Sequence, residues 1–223
     1  MPILSIIATP IGNLGDITAR AAQTLKDADL ILCEDTRVTA KLLFHLQLKR
    51  PLLSFHEHSD RHRLDKILDL LKEGKNLALV TDAGTPGISD PGSWLIREVV
   101  NQLPNVIITP IPGPSAIAAA VSVCGFNVDE FVFKGFPPHK KGRKTFFDKV
   151  ADEQRTVILY ESTHRIGKAM DELSARVADR QIVVCRELTK LHETIHRGTV
   201  AEVTAVLKTA SIKGEFVLIL GPV

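Results

Sequence analysis

The sequence contains few cysteines and no long apolar run. Its three cysteines, Cys33, Cys124 and Cys185, are far apart and odd in number, so their spacing indicates neither a disulfide framework nor a metal site. No basic stretch precedes the apolar run of the first ten residues, which argues against a signal peptide. The longest stretch of small apolar residues, 116–126, is too short to span a bilayer. We therefore expect a reducing, cytoplasmic setting and no membrane anchor.

A strong charge of either sign is also lacking. The 28 Lys and Arg residues nearly balance the 26 Asp and Glu residues, which leaves a net charge of +2 on 223 residues. The chain as a whole is therefore not an electrostatic attractant for nucleic acid, and any surface that binds nucleic acid must be local. The one dense basic run is 139–144, which contains Lys140, Lys141, Arg143 and Lys144. A solvated loop is the alternative interpretation of this run.

Short apolar runs alternate with helical patterns through the first half of the chain. The predicted strands of this half are 3–8, 30–33, 52–55, 77–80 and 106–109. This βαβαβαβαβ order predicts a mostly parallel sheet with helices on its faces. In the second half the polar, alternating stretch 193–198 is typical of an antiparallel strand, so a mixed sheet is expected there. The proline cluster at 110–114 predicts a boundary between an α/β domain at 1–111 and a mixed α/β domain at 112–223.

The loop 82–92 is the most unusual stretch of the chain. Its eleven residues, Asp-Ala-Gly-Thr-Pro-Gly-Ile-Ser-Asp-Pro-Gly, include three glycines and two prolines. It follows a predicted strand and precedes a predicted helix, a position at which open α/β sheets bind ligands through free backbone groups. It lacks the Gly-Lys-Ser/Thr ending of a phosphate-binding loop. We expect it to bind a ligand; a purely structural turn is the alternative.

Polar residues follow two further predicted strands. Glu34, Asp35 and Arg37 come after the second strand, and His56 comes after the third. Simple helix capping by Asp35 is the alternative for the first cluster. Three histidines within seven residues, at 56, 58 and 62, could ligate zinc, but no fourth ligand is at hand, so we predict a solvated polar loop and no metal.

Several motifs together resemble one family. They are TPIGNL (9–14), EDTR (34–37), FHEH (55–58), DAGTPGISDPG (82–92), PGPSA (112–116), GFPP (135–138), YES (160–162) with His-Arg at 164–165, and RELTK (186–190). Jointly they resemble the small-subunit (16S) ribosomal RNA cytidine-2′-O-methyltransferase branch of the tetrapyrrole methylase superfamily. Tetrapyrrole-side relatives carry Gly-Asp-Pro where this chain has Gly84-Thr85-Pro86, which favours the RNA branch. Thr163 stands where the family motif has proline.

The resemblance implies a tetrapyrrole-methylase-like fold of two α/β domains with S-adenosylmethionine in the cleft between them. It implies methylation of a cytidine ribose in ribosomal RNA of the small subunit, and a homodimer. Many members carry a further helical region beyond the position of Val223; if that region holds RNA, the affinity for RNA depends on it. The residues expected to bind the cofactor are Pro10, Asp82, Ala83, Gly84, Thr85, Pro86, Gly87, Ser89, Ser115 and Ala116. The alternatives are a methylase of a tetrapyrrole or other small molecule, and a non-catalytic RNA-binding assembly factor.

Methyl transfer to a ribose hydroxyl needs alignment of the reacting atoms, and a general base would assist it. The candidates for that base are Asp35, Glu34 and His56, since they follow strands at the edge where the loop 82–92 also emerges. Alternatives in the second half are Glu161, Arg165, Arg186 and Glu187, each of which could instead form an ordinary ion pair. For RNA phosphates the expected ligands are Arg37, Lys140, Lys141, Arg143 and Lys144.

Overall fold

The computed structural model describes residues 1–56, 59–89 and 92–223. The chain divides into two compact units, Met1–Ser115 and Ala116–Val223. These are called the N-terminal and the C-terminal unit below. The predicted domain boundary between 111 and 112 lies a few residues ahead of this division and stays a prediction. Within the described residues no helix has the length and apolar character needed to cross a membrane.

The N-terminal unit is built on five parallel strands. They are β1 (Ile3–Ile7), β2 (Leu30–Cys33), β3 (Leu52–Ser54), β4 (Leu77–Val80) and β5 (Ile107–Ile111). Their order is β3-β2-β4-β1-β5, and every pair is parallel. The predicted parallel sheet is therefore confirmed. The predicted strand 106–109 was placed too early: β5 runs through Pro110, which is tolerated because β5 is an edge strand and a proline there removes no ladder hydrogen bond.

Helices cover both faces of this sheet. They are α1 (Ala19–Asp27), α2 (Thr36–His45), α3 (Arg61–Lys72) and α4 (Ser93–Gln102), with a short 3-10 helix at Leu14–Asp16. Successive side chains of a strand point to opposite faces, and β4 follows this rule. Leu77 and Leu79 pack with apolar residues of α3 and α4, whereas Ala78 and Val80 pack with those of α1 and α2. The sheet is therefore buried on both sides, and its ligand-accessible groups lie at its edges and strand ends.

The C-terminal unit has a mixed sheet. Its strands are β6 (Phe131–Phe133), β7 (Thr156–Ser162), β8 (Gln181–Arg186), β9 (Thr194–Thr199) and β10 (Glu215–Leu220). Their order is β6-β7-β10-β8-β9, and only β6 with β7 is parallel among these pairs. The predicted mixed sheet is confirmed. The helices of the unit are α5 (Ala116–Cys124), α6 (Arg143–Ala151), α7 (Ile166–Val177) and α8 (Val200–Thr209).

The sequence pattern does not predict helix α6, whose first turn contains the end of the basic run. Gly142 adopts a φ of 81° and precedes the helix, so Arg143 and Lys144 belong to its first turn. Phe147 and Val150, three residues apart, form the buried face of α6. Charged residues surround this short apolar stripe, so the hydrophobic periodicity of the sequence does not indicate a helix here.

Candidate active site

Two loops at the carboxyl edge of the N-terminal sheet are joined by backbone hydrogen bonds. The amide of Thr9, which follows β1, donates to the carbonyl of Gly84 at 2.9 Å, and the amide of Gly84 donates back to the carbonyl of Thr9 at 3.0 Å. The buried hydroxyl of Thr9 donates to the carbonyl of Thr81 at 3.0 Å. Three hydrogen bonds therefore connect the end of β1 with the start of the loop after β4.

The conformation of this loop depends on glycine. Gly84 and Gly87 both adopt a φ of 88°, a region that side-chain-bearing residues rarely occupy. A Cβ atom at Gly84 would lie 3.5 Å from Cγ2 of Ile11, whereas one at Gly87 would meet nothing within 4 Å. Ser89 also has a positive φ, of 62°. Asp90 and Pro91, the next two residues of the predicted ligand loop, lie outside the described residues.

A third segment, which follows β5, approaches the same place. The hydroxyl of Thr85 donates to the carbonyl of Pro114 at 3.2 Å. A Cβ atom at Gly113 would lie only 3.2 Å from the Cβ of Ala8, so glycine permits this close approach. The expected cofactor-binding residues Pro10, Asp82 to Gly87, Ser89 and Ser115 therefore belong to three adjacent segments of the N-terminal unit. Ala116 is the first residue of α5 and of the C-terminal unit.

Asp35 is the N-cap of α2. Its Oδ1 accepts the amide of Arg37 at 2.8 Å, and its Oδ2 forms an ion pair of 2.5 Å with Nη2 of Arg37. The side-chain hydrogen bond from Arg37 is the main reason why the pKa of Asp35 is lowered to about 2. The capping alternative thus describes the structure of Asp35. A carboxylate with so low a pKa is a weak proton acceptor at neutral pH.

Asp82 is tied to Asp35 but has a different environment. Its Oδ1 accepts the backbone amide of Asp35 at 3.1 Å, which connects the ends of β4 and β2. Burial raises the pKa of Asp82, and the negative charge of Asp35 adds to the rise. Asp82 was expected to bind the cofactor and was not considered as a base. An acid two residues after the fully apolar β4, beyond Thr81, is the signal in the sequence.

The other two candidate bases, Glu34 and His56, follow β2 and β3. Glu34 and His56 are half-buried. The backbone of each is anchored locally: the hydroxyl of Ser54 donates to the carbonyl of Glu34 at 3.2 Å, and the amide of His56 donates to Oγ of Ser59 at 2.9 Å. Glu57 and His58, which belong to the FHEH motif and to the zinc alternative, lie outside the described residues. Within the described ranges no group of three His, Cys, Asp or Glu residues is arranged to hold a metal ion.

The candidates of the C-terminal unit are engaged in contacts within that unit. Arg186 is buried and donates to the carbonyls of Lys213 at 2.6 Å and His192 at 3.1 Å. Glu187 accepts Nζ of Lys190 at 2.9 Å. These contacts fit the ion-pair and packing interpretation better than a catalytic one.

The basic run, called the basic segment below (residues 139–144), divides into exposed and buried cations. Lys140, Lys141 and Lys144 are exposed. Arg143 is not: its side chain is 5% exposed and lies 3.9 Å from Oε2 of the fully buried Glu161. The expectation that Arg143 contacts RNA is therefore corrected. Its charge is held inside the protein, where a phosphate cannot reach it.

Known proteins provide a further comparison. The family description Tetrapyrrole (Corrin/Porphyrin) Methylases matches residues 4–204. A protein of Synechocystis sp. named Ribosomal RNA small subunit methyltransferase I is 45% identical over 222 residues, which cover 99% of this chain and 79% of that protein. Its namesake from Thermotoga maritima is 42% identical over 217 residues, or 97% of each chain. The solved structure of a cobalamin biosynthetic enzyme, cobalt precorrin-4 methyltransferase, matches with a TM-score of 0.70 at 23% identity, covering 98% of this chain and 94% of that one.

The solved structure supports the fold alone, because its sequence identity is low. The family match spans most of the chain, and both named relatives exceed 40% identity over nearly its whole length. The chain belongs to the tetrapyrrole (corrin/porphyrin) methylase family and is a methyltransferase.

Proposed function

We propose that the protein transfers a methyl group from S-adenosylmethionine to the ribose 2′-hydroxyl of a cytidine in small-subunit ribosomal RNA. A methylase requires a methyl donor, and S-adenosylmethionine is the donor proposed here. The observation that carries the proposal is the identity of 42–45% over nearly the whole chain to relatives named Ribosomal RNA small subunit methyltransferase I. The basic segment and the segments that follow β1, β4 and β5 in the N-terminal unit support it.

The residues at the carboxyl edge of the N-terminal sheet fit such a cofactor. Ala83, Gly87 and Ser89 are exposed, and Gly84 and Gly87 have left-handed backbone conformations. A Cβ atom at Gly87 would enter open space. The exposed part of the loop therefore consists of small residues, whose backbone a nucleoside or an amino-acid moiety can approach closely.

When bound, S-adenosylmethionine supplies an electrophilic methyl group on a good leaving group. The chain then has to align the ribose oxygen with that methyl group and accept the hydroxyl proton. Among the aspartates at this edge, Asp82 is the better proton acceptor, because burial raises its pKa while Arg37 lowers the pKa of Asp35. Asp35 orients Arg37, whose side chain is 86% exposed and can meet an RNA phosphate. Glu34 and His56 remain further candidates for the base.

The exposed lysines of the basic segment supply the second contact with RNA in this proposal. Lys140, Lys141 and Lys144 form no ion pair with any described residue. Unpaired, exposed cations bind phosphates by releasing counterions, which is a sequence-independent contribution to affinity. The specificity for one cytidine then has to come from other groups.

The test is methyl transfer from radiolabelled S-adenosylmethionine to assembled small ribosomal subunits and, separately, to bare ribosomal RNA. We expect label in one cytidine, identified as 2′-O-methylcytidine after nuclease digestion. In a parallel reaction with a tetrapyrrole in place of RNA, label in the tetrapyrrole and none in RNA would make the tetrapyrrole the substrate. RNA binding without methyl transfer would identify a non-catalytic assembly factor. A Gly84→Val variant, which is expected to lose the cofactor, controls for contaminating activity.

We also propose that the protein works as a cytoplasmic homodimer. Two-fold dimers are the commonest assembly of soluble enzymes, and the resemblance points the same way. Light scattering coupled to size exclusion should give twice the chain mass of 24.5 kDa. A monomer at micromolar concentration would remove this part of the proposal.

A further inference from the structure

Three charged side chains form a buried cluster in the C-terminal unit. The carboxylate of Glu161, on β7, is fully buried, and the side chains of Arg143 and Arg165 are 5% and 19% exposed. Nε of Arg165 lies 2.9 Å from Oε1 of Glu161, and Nη1 of Arg143 lies 3.9 Å from Oε2. One carboxylate thus balances two guanidinium groups.

Both arginines also hold the chain just before the basic segment. Nη1 of Arg165 donates to the carbonyl of Pro137 at 3.1 Å, and Nη1 of Arg143 donates to the carbonyl of Pro138 at 3.1 Å. Prolines have no N–H, so their carbonyls are the only backbone groups by which they can be fixed. The guanidinium of Arg165 also lies 5.7 Å from the ring centroid of Phe136. The start of the basic segment is therefore anchored through Glu161.

This cluster is not an efficient way to stabilise a fold. Buried charges lose their hydration, and apolar residues of similar volume often serve stability as well or better. Three of its buried atoms, Nε and Nη2 of Arg143 and Oε2 of Glu161, have no hydrogen-bond partner among the described residues. A cluster that leaves polar atoms unsatisfied calls for an explanation other than stability.

We propose that Glu161 is a positioning residue for RNA binding. Through Arg143 and Arg165 it fixes Pro137 and Pro138, and so it holds Lys140, Lys141 and Lys144 in one arrangement before RNA arrives. Preorganised side chains and loops lose less conformational entropy on binding. This inference rests on the proposed function, because it takes the basic segment to be a surface for ribosomal RNA.

The direction in which one substitution changes the RNA affinity distinguishes positioning from long-range electrostatic attraction. Glu161→Gln removes a negative charge, so the net charge of the chain rises from +2 to +3 and long-range attraction to RNA increases. Positioning predicts the opposite result: RNA affinity falls by about 10-fold as the lysines lose their arrangement. The KM for RNA should rise while kcat and the Kd for S-adenosylmethionine stay unchanged, because no reacting atom has been touched.

Glu172→Gln is the matched control. Glu172 lies on α7 in the same unit and pairs with Arg176 at 2.7 Å, so its loss changes the charge equally and also breaks an ion pair with arginine. Its RNA affinity should equal or slightly exceed that of the parent. Arg143→Met is the second test variant, in case Glu161→Gln does not fold. It keeps the pair of Glu161 with Arg165 and loses the contacts of Arg143 with Pro138, Glu161 and the ring of Phe147. It should also weaken RNA binding, but it removes a positive charge as well, so its decisive readout is the cleavage of the anchored segment by trypsin.

A readout without RNA tests the anchoring itself. Trypsin cleaves after Lys140 and Lys141, and cleavage of a folded protein requires local opening of the chain. Cleavage at these two sites should be several-fold faster in Glu161→Gln and Arg143→Met than in the parent and in Glu172→Gln. Unchanged cleavage would overturn the proposal. So would faster cleavage with RNA affinity equal to or above that of the parent.

Failure of the proposed function has a different signature. If replacing the three lysines by Gln in the parent leaves RNA affinity unchanged, the basic segment is not an RNA surface and the inference falls with it. The trypsin result would still report whether Glu161 anchors the segment. Faster cleavage together with weaker RNA binding in the two variants, and neither change in Glu172→Gln, supports the proposal.

Discussion

Asp35 and Asp82 are neighbouring carboxylates with opposite shifts in proton affinity. The hydrogen bond from Arg37 favours the charged form of Asp35 and lowers its pKa to about 2. Burial disfavours the charged form of Asp82 and raises its pKa. Since the folded-state pKa of Asp35 is depressed, its favourable contact with Arg37 is present above the ordinary aspartate pKa and is lost only as the pH falls towards 2. Near neutral pH Asp35 is an anchor for Arg37.

The pH dependence of the rate should distinguish the two residues. Asp82→Asn should lower kcat by about 10²-fold and abolish the acid limb of the kcat profile, since a positioned base contributes about 10²–10⁴-fold. Asp35→Asn should keep cofactor affinity and lose rate, and its acid limb should move to lower pH, because the negative charge of Asp35 raises the pKa of Asp82. Single-turnover rates between pH 4 and 9 would measure both effects. Wild-type turnover in Asp35→Asn would remove Asp35 from the mechanism, and an unchanged profile in Asp82→Asn would exclude that base.

Gly84 permits the loop after β4 to take its shape, and a side chain there should block the cofactor. We expect Gly84→Val to lose S-adenosylmethionine binding in calorimetry while its circular dichroism spectrum stays that of a folded protein. The φ of 88° strains a β-branched residue. A Cβ atom at Gly84 would already be in van der Waals contact with Cγ2 of Ile11 at 3.5 Å, so the methyl groups of valine beyond it would displace the neighbouring segments.

Gly74→Val is the control for backbone strain in that experiment. Gly74 has the same φ of 88°, follows α3, and would place a Cβ atom in open space. It should bind the cofactor like the parent. Equal affinity in Gly84→Val would remove the loop from the cofactor site.

At the scale of elements, the basic segment runs into the first turn of α6 and contains two kinds of cation. Lys140, Lys141 and Lys144 face solvent, whereas Arg143 turns inward over the ring of Phe147, 4.9 Å from its centroid. Counting charges along the sequence overestimates the cations available to RNA by one. The structure therefore narrows the number of phosphate contacts expected from this segment to three.

Replacing Lys140, Lys141 and Lys144 by Gln should weaken binding and flatten its salt dependence. Each contact with single-stranded RNA contributes about 0.7 to the slope of log affinity against log salt, so three contacts contribute about 2. Fluorescence titration of ribosomal RNA over a range of salt would measure the change. Lys149, Lys168 and Lys208, exposed lysines of the same unit, form the control triple with an equal loss of charge. If both triples give the same slope, the basic segment has no special role.

At the scale of the whole molecule, each unit has a hydrophobic core of its own. The N-terminal sheet is sandwiched between two apolar clusters, and the C-terminal core gathers residues of α6, α7, α8 and the strands around Phe147 and Leu218. The buried residues of each cluster come from one unit only. Each unit thus meets the requirement of a domain that folds by itself.

Separate fragments should therefore fold. Residues 1–115 and 116–223, expressed apart, are each expected to melt cooperatively in circular dichroism, because units of roughly 100 residues can bury a sufficient core. A fragment that ends at 111 serves as the comparison and tests the boundary predicted from the proline cluster. It lacks Pro114, whose carbonyl accepts the hydroxyl of Thr85, and should melt at a lower temperature than 1–115. Absence of a cooperative transition in either of the two main fragments would contradict the division.

Local patterns sufficed for much of this protein. Apolar runs at 30–33 and 77–80 predicted β2 and β4, because a strand buried on both faces must be apolar throughout. The glycines of the loop 82–92 indicated its unusual backbone, since a positive φ is a local property of the chain and favours glycine. The motifs indicate the family without any tertiary information, because each consists of residues adjacent in the chain.

Only the tertiary structure decided which charges are available. Asp35 and Asp82 are 47 positions apart, and nothing local indicates that one amide meets the other carboxylate and that their pKa values diverge. Arg143 looks like its lysine neighbours in the sequence, but Glu161, on a strand that begins after α6 ends, keeps it buried. Solvation and charge pairing depend on distances across the fold. The identity of a residue determines which charge or hydrogen bond its side chain can provide. The contacts formed on folding determine whether that group is available to a substrate.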